Sequence, residues 1–192
     1  FGNHAARRQH AIAGGILFEH EVETRAPVQL ADDNAFGAVD DELTAAVGGN
    51  VSIENSVAIS GDIVYFANSG GLVQGWDIAG LEAGEMPTRV FRYWAGDDID
   101  ASIVIDDEGM LYVGVEYERG NARSAEVGQI LKLDPRNGAD PLVWSVHERP
   151  RLDSGVWATP GLHDDIVIVP TDTGAVLALD RATGEERWRM EL

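Results

Sequence analysis

The 192-residue chain predicts an all-β fold of repeated four-stranded antiparallel sheets, and three observations carry that prediction. One strand–turn–strand unit recurs, it recurs at a regular period, and its strands are apolar on nearly every residue. The first strand of the unit reads Asp62–Ala67, then Gly109–Gly114, then Asp165–Pro170. The second reads Gly71–Asp77, Gly128–Asp134 and Gly174–Asp180, and an aromatic closes each copy at Trp94, Trp144 and Trp188. Equivalent aspartates (Asp77, Asp134, Asp180) are 57 and 46 residues apart, and the tryptophans 50 and 44. Such periods suit the ~40–50 residues of a β-propeller blade and exceed those of ankyrin or tetratricopeptide repeats.

Each element follows from its residues. Runs such as Ile166–Val169 and Ala175–Leu179 lack alternation, as expected of strands covered on both faces. Blades of a propeller are such sheets, each lying between two neighbours. The turn Asp180-Arg181-Ala182-Thr183-Gly184 places a carboxylate where it can accept backbone N–H groups two or three residues on, and a glycine where positive φ costs nothing. Trp188 adds a large apolar body with one N–H, suited to wedging between blades. Asp106 to Gly109 reads as a hairpin turn between two apolar strands.

The pattern Ala178-x-Asp180-x-x-Thr183-Gly184-x-x-x-Trp188 resembles the tryptophan-docking motif of the pyrroloquinoline-quinone (PQQ)-like propeller repeat. That family includes PQQ-dependent alcohol dehydrogenases and the non-catalytic propeller lipoprotein of outer-membrane protein assembly. The last copy matches at every motif position. The middle copy keeps Asp134, Gly138 and Trp144 with two extra residues, and the first keeps Asp77 and a displaced Trp94. The resemblance implies a segment of a larger, eight-bladed propeller in which the motif tryptophan stacks on the next blade.

In chain order, residues 1–50 are expected to form part of a blade and an irregular connection. Gly15 to Val22 reads there as a last strand, and Asp40 to Val47 as one helical turn or a strand. Complete blades are expected over 51–96, 97–148 and 154–192, with a long inserted loop at 116–127 and a polar connector, Arg149–Asp153, before the third. Three and a half blades do not close a ring of the usual ~4–8. The isolated chain is therefore expected to expose apolar blade faces and associate.

Composition narrows the partners. The net charge of −19 disfavours a nucleic-acid backbone or an anionic membrane surface. No cysteine is present, which removes disulfides, thiolate metal sites and cysteine nucleophiles. Thirteen of the fourteen basic residues are arginine, and Lys132 is the one lysine. No apolar run reaches the ~20 residues of a membrane span, and no signal peptide is visible.

The acidic clusters Asp32-Asp33-Asn34, Asp97-Asp98-Ile99-Asp100, Asp106-Asp107-Glu108 and His163-Asp164-Asp165 lack calcium-loop spacing and read as solvated turns. The five histidines show no ligand spacing. No nucleophile elbow and no phosphate-binding glycine loop occurs. No catalytic residue and no metal ligand is therefore assigned. The start of each blade offers the candidate binding positions: overlaying the copies aligns Glu54, Asp100 and Trp157, followed by Asn55-Ser56, Ala101-Ser102 and Ala158-Thr159. Facing a propeller channel, two carboxylates and an indole could hold a cation or stack a planar ligand.

These features lead to a non-enzymatic PQQ-like propeller that binds protein or ligand as an assembly scaffold, with partners at its rim loops or channel. The resemblance implies a periplasmic or extracellular location. The alternative is a segment of a PQQ- and Ca²⁺-dependent alcohol or sugar dehydrogenase, for which the resemblance implies a carboxylate and amide set, an aspartate base, a stacking tryptophan and a vicinal disulfide. No such set can be matched residue by residue in this chain.

Overall fold

Three antiparallel sheets of four strands follow one another along the chain, each a simple up-and-down meander. The computed structural model describes residues 41–49 and 51–192. The expected strand at Gly15–Val22, Asp32–Asn34 and His4, His10 and His20 lie outside the described residues. The segment around Asp40–Val47 resolves to a helix, α1 (Asp41–Val47).

The first sheet comprises β1 (Ala58–Ser60), β2 (Ile63–Ala67), β3 (Leu72–Asp77) and β4 (Thr88–Trp94). The second holds β5 (Val104–Ile105), β6 (Leu111–Gly114), β8 (Ile130–Leu133) and β9 (Leu142–Val146). Between β6 and β8 lie β7 (Glu116–Tyr117) and helix α2 (Ala122–Val127). The third sheet is β11 (Gly161–His163), β12 (Ile166–Pro170), β13 (Ala175–Asp180) and β14 (Glu186–Glu191). A short strand before it, β10 (Ser154–Gly155), pairs with β7 and ties the second sheet to the third.

The core lies between sheets. Tyr65, Ala67, Val73 and Phe91 of the first sheet meet Leu111, Val113, Leu131 and Leu133 of the second. On the opposite face of the second sheet, Tyr112, Ile130 and Trp144 meet Val167, Val169, Leu177 and Leu179 of the third. Every residue of β6 and β8 is consequently buried, which is the reason these strands carry no alternation.

Register identifies the true repeat equivalences. In each sheet the third and fourth strands slip by one residue, at Gly75/Trp76, Lys132/Leu133 and Ala178/Leu179. The residues paired just before the slip are Gly75 with Phe91, Lys132 with Trp144, and Ala178 with Trp188. The counterpart of Trp144 in the first blade is therefore Phe91. Trp94 lies three residues further on, packs with Leu43 and Leu72, and donates its indole N–H to the Gly70 carbonyl at 3.0 Å.

The turn chemistry holds in every copy. Asp180 Oδ1 accepts the N–H groups of Ala182 and Thr183, both at 2.9 Å, and Gly184 has φ +76°. Asp77 and Asp134 cap their own turns through Ala79 and Arg136. At the hairpin between β5 and β6, Asp106 Oδ1 accepts from Glu108 and Met110.

Trp144 is the indole that wedges between blades. It is 8% exposed and donates to the Arg181 carbonyl of the following blade at 3.2 Å. Trp188 occupies the same register position in the third sheet, yet it is 44% exposed because no described segment covers that face. The turn Asp180–Gly184 thus receives the preceding blade's indole rather than serving Trp188.

Candidate functional site

The sheets converge at their opening segments. Ser56 donates its N–H to Ser102 Oγ and Ser102 donates its N–H to Thr159 Oγ1, each at 3.1 Å, so the aligned positions adjoin from blade to blade. Glu54, Asp100 and Trp157, two residues upstream of these, are all solvent-exposed, Trp157 at 47%. Glu54 accepts the Ser52 hydroxyl at 2.5 Å, and Asp100 meets Glu116. Among the described residues no hydrogen bond or ring contact joins Trp157 to either carboxylate.

A second set of equivalent positions closes each opening segment against the end of the blade's second strand. The N–H groups of Ser69, Glu116 and Asp172 donate to the carbonyls of Ser52, Asp98 and Gly155. In the outer two blades the side chain completes the clasp: Ser69 Oγ accepts from Ser52 N, and Asp172 Oδ1 from Gly155 N, each at 2.9 Å. The middle blade departs from this pattern. Asp98 N turns to Asp97 Oδ1 at 3.0 Å, and the longer Glu116 side chain reaches instead to the Asp100 carboxyl.

This departure concentrates acid. Asp97 is fully buried and accepts the backbone N–H groups of Asp98, Arg119 and Gly120. Arg119 lies 3.6 Å from Asp97 and 3.5 Å from Asp98, and donates to the Ser69 carbonyl. Asp98 Oδ1 is buried without a hydrogen-bond partner. Burial, opposed by Arg119 and reinforced by Asp100, raises the Asp98 carboxyl to about 6. Glu116 is 6% exposed, and burial, with the charges of Asp100, Asp98 and Glu118, pushes it up to about 8. Burial and these neighbouring acids thus favour its protonated form.

The sequence reading of Asp97–Asp100 as a solvated turn is thus corrected. The inserted segment folds over Asp97, where backbone N–H groups take the place of water, while Asp100 stays exposed. The insertion is also not a free rim loop. Asn121 caps α2 by accepting from Ser124 N and donates to the Gly96 carbonyl, while Ser124 and Val127 are buried. Arg123 lies over the Tyr93 ring and donates to the Trp94 carbonyl, so α2 is anchored to the first sheet. Sequence reasoning passed over Glu116 and Arg119 and took Asp97 for a solvated residue. Overlaying the ends of the second strands would have aligned Glu116 with Ser69 and Asp172 and marked it as the odd member.

The donor set does not fit a quinone with its calcium. Burial raises the Glu116 carboxyl above the ordinary range, no hydrogen bond or ring contact joins Trp157 to Glu54 or Asp100, and among the described residues no three His, Asp or Glu side chains are placed to hold a metal ion. His163 is exposed beside Asp164, and among the described residues no helix is long and apolar enough to cross a membrane.

Comparisons with known proteins agree with this architecture. The family described as outer membrane protein assembly factor BamB matches residues 126–192, about a third of the chain. BamB from Moraxella catarrhalis superposes with a TM-score of 0.55 at 24% identity, over 75% of this chain and 38% of its own. The quinohemoprotein alcohol dehydrogenase from Comamonas testosteroni gives 0.54 at 20% identity, over 72% of this chain and 21% of its own. The computationally designed Ika4 protein gives 0.53 at 16% identity, over 75% of each chain. No curated protein sequence matches. The described residues form a run of β-propeller blades, and residues 126–192 match the assembly-factor family by sequence. It spans well under half the length of its BamB and dehydrogenase neighbours.

Proposed function

We propose that this chain belongs to a non-enzymatic propeller of the cell envelope that serves as a binding scaffold for protein partners. The match of residues 126–192 to the outer-membrane assembly factor family carries the reading. The motif residues support it, because their functional groups are spent on structure. Asp180 and Gly184 build a turn, and that turn seats Trp144. Leu152 and Trp157 are exposed apolar side chains available for contact, while Arg149 stacked on Tyr117 stiffens the connector beside them.

The discriminating experiment uses the full-length protein. A photo-crosslinking amino acid at Leu152 or Trp157, activated in intact cells, is expected to trap one recurrent envelope protein. Titration with PQQ and Ca²⁺ is expected to leave the quinone absorbance unchanged. A stoichiometric quinone complex would replace this reading with that of a dehydrogenase segment, in which Trp157 stacks the cofactor.

A further inference from the structure

The connection between β8 and β9 carries chemistry that its counterparts lack. It corresponds to Asp180–Gly184 of the third blade, with Asn137 standing where that blade has Thr183 and Gly138 matching Gly184. Asn137-Gly138 is the one Asn-Gly pair in the chain. At such a pair the backbone nitrogen can attack the preceding side-chain amide, because glycine puts no Cβ beside that nitrogen. In a folded protein the attack also requires that neither group is otherwise held.

Four asparagines lie among the described residues, and three of their side chains are held. Asn55 donates to the carbonyls of Ala67 and Ile99 and accepts from Ala67 N. Asn68, 5% exposed, accepts the N–H groups of Gly70 and Leu72. Asn121 accepts from Ser124 N and donates to the Gly96 carbonyl. Asn137 is exposed, and among the described residues neither its side chain nor the Gly138 N–H makes a hydrogen bond. A Cβ at Gly138 would meet nothing within 4 Å, whereas one at Gly184 would strike Trp144. The middle turn is thus free of the indole that covers its third-blade equivalent, and a ring has room to close there.

We infer that Asn137 is a self-modification site, at which the chain deamidates through a cyclic imide to aspartate and isoaspartate. This goes beyond the scaffold reading and does not rest on it. The Gly138 nitrogen bonds to the Asn137 Cγ and gives up its proton, the Cγ–Nδ2 bond breaks, and ammonia leaves. Water then opens the imide at one of its two carbonyls, and the Gly138 nitrogen regains a proton. Opening at the side-chain carbonyl gives aspartate. Opening at the main-chain carbonyl gives isoaspartate, which routes the backbone through the former side chain and lengthens it by one atom. Either product adds a carboxylate to a turn that already carries Asp134 and Asp140. Asp134 N donates to the Pro141 carbonyl at 2.8 Å and closes the loop, so the change falls in the exposed residues beyond that bond.

Peptide mapping by mass spectrometry of the full-length protein, aged under native conditions in mildly alkaline buffer, tests this. Residue 137 is expected to gain the mass of an Asn-to-Asp exchange while Asn55, Asn68 and Asn121 keep their amides. A protein-isoaspartate methyltransferase, supplied with labelled S-adenosylmethionine, is expected to label aged protein above fresh protein. Gly138 is outside the left-handed region and touches nothing, so Gly138→Ala should fold normally and suppress both signals. Asn137→Gln is expected to abolish them. Conversion at 137 only after unfolding in urea, equal conversion at all four asparagines of the folded chain, or an undiminished rate in Gly138→Ala overturns the inference.

Discussion

Trp144 lies against Gly184 of the following blade so closely that a Cβ there would sit 2.8 Å from the indole ring. Gly184 also holds φ +76°, a conformation costly for any residue with a side chain. Contact and conformation thus demand glycine independently at one position.

Gly184→Ala is expected to cost about 1–3 kcal/mol from backbone strain alone, with more if the indole is displaced. Thermal unfolding should show the loss as roughly 2–4 °C per kcal/mol for a chain of this size. A variant as stable as the parent would mean the turn relaxes freely.

Lys132 shares the same acceptor as Trp144. Its ammonium donates to the Arg181 carbonyl at 2.9 Å and lies 5.5 Å from the centre of the Tyr112 ring. Lys132→Met preserves the buried stem and removes the donor, so a loss of about 1–2 kcal/mol is expected by urea unfolding. Amine-acylating reagents should modify Lys132 only after the protein is unfolded.

Asp180 sets the acid limit of this turn. Its hydrogen bond from Arg187, with the N–H groups of Thr183 and Ala182, holds its carboxyl down at about 2, below the ordinary aspartate range. A depressed native value means the stabilisation is complete above the unfolded value and is lost as pH falls toward 2. Asp180→Asn should lower stability at neutral pH and flatten the fall between pH 4 and 2. Equal acid profiles for both proteins would show that the Arg187 contact contributes nothing in solution.

The outward face of the third sheet carries two rows of cross-strand neighbours, Ile168–Ala178–Trp188 and Pro170–Val176–Met190. Trp188 and Met190 are both about half exposed. Exposed apolar sheet surface promotes association. The isolated chain is expected to scatter light as oligomers, and Trp188→Arg with Met190→Lys to reduce that mass while leaving Trp144 fluorescence unchanged. A concentration-independent monomer in the parent would contradict this.

Much of the blade was legible because it is local. The Asx turn at Asp180, the positive φ of Gly184 and the hairpin at Asp106 each involve residues within five positions of one another. The aligned series Glu54, Asp100, Trp157 could be read by overlay, and the chain of Ser56, Ser102 and Thr159 runs beside it. The first blade's closing aromatic was misplaced, because Trp94 and Phe91 are both plausible from spacing. Only the slip at Gly75/Trp76 distinguishes them. Asp97 could not be recognised as buried, because the N–H groups that satisfy it come from an insertion more than twenty residues away.

Sequence alone therefore determined the repeated leaf, its turns and the apolar character of strands pressed between neighbours, since periodicity and backbone preference act over a few residues. The tertiary structure decided which indole meets which turn and why Trp188 stands open. It also decided that Glu116 is buried beside other acids and its carboxyl raised, because that environment arises only once separate blades and an inserted helix are packed together.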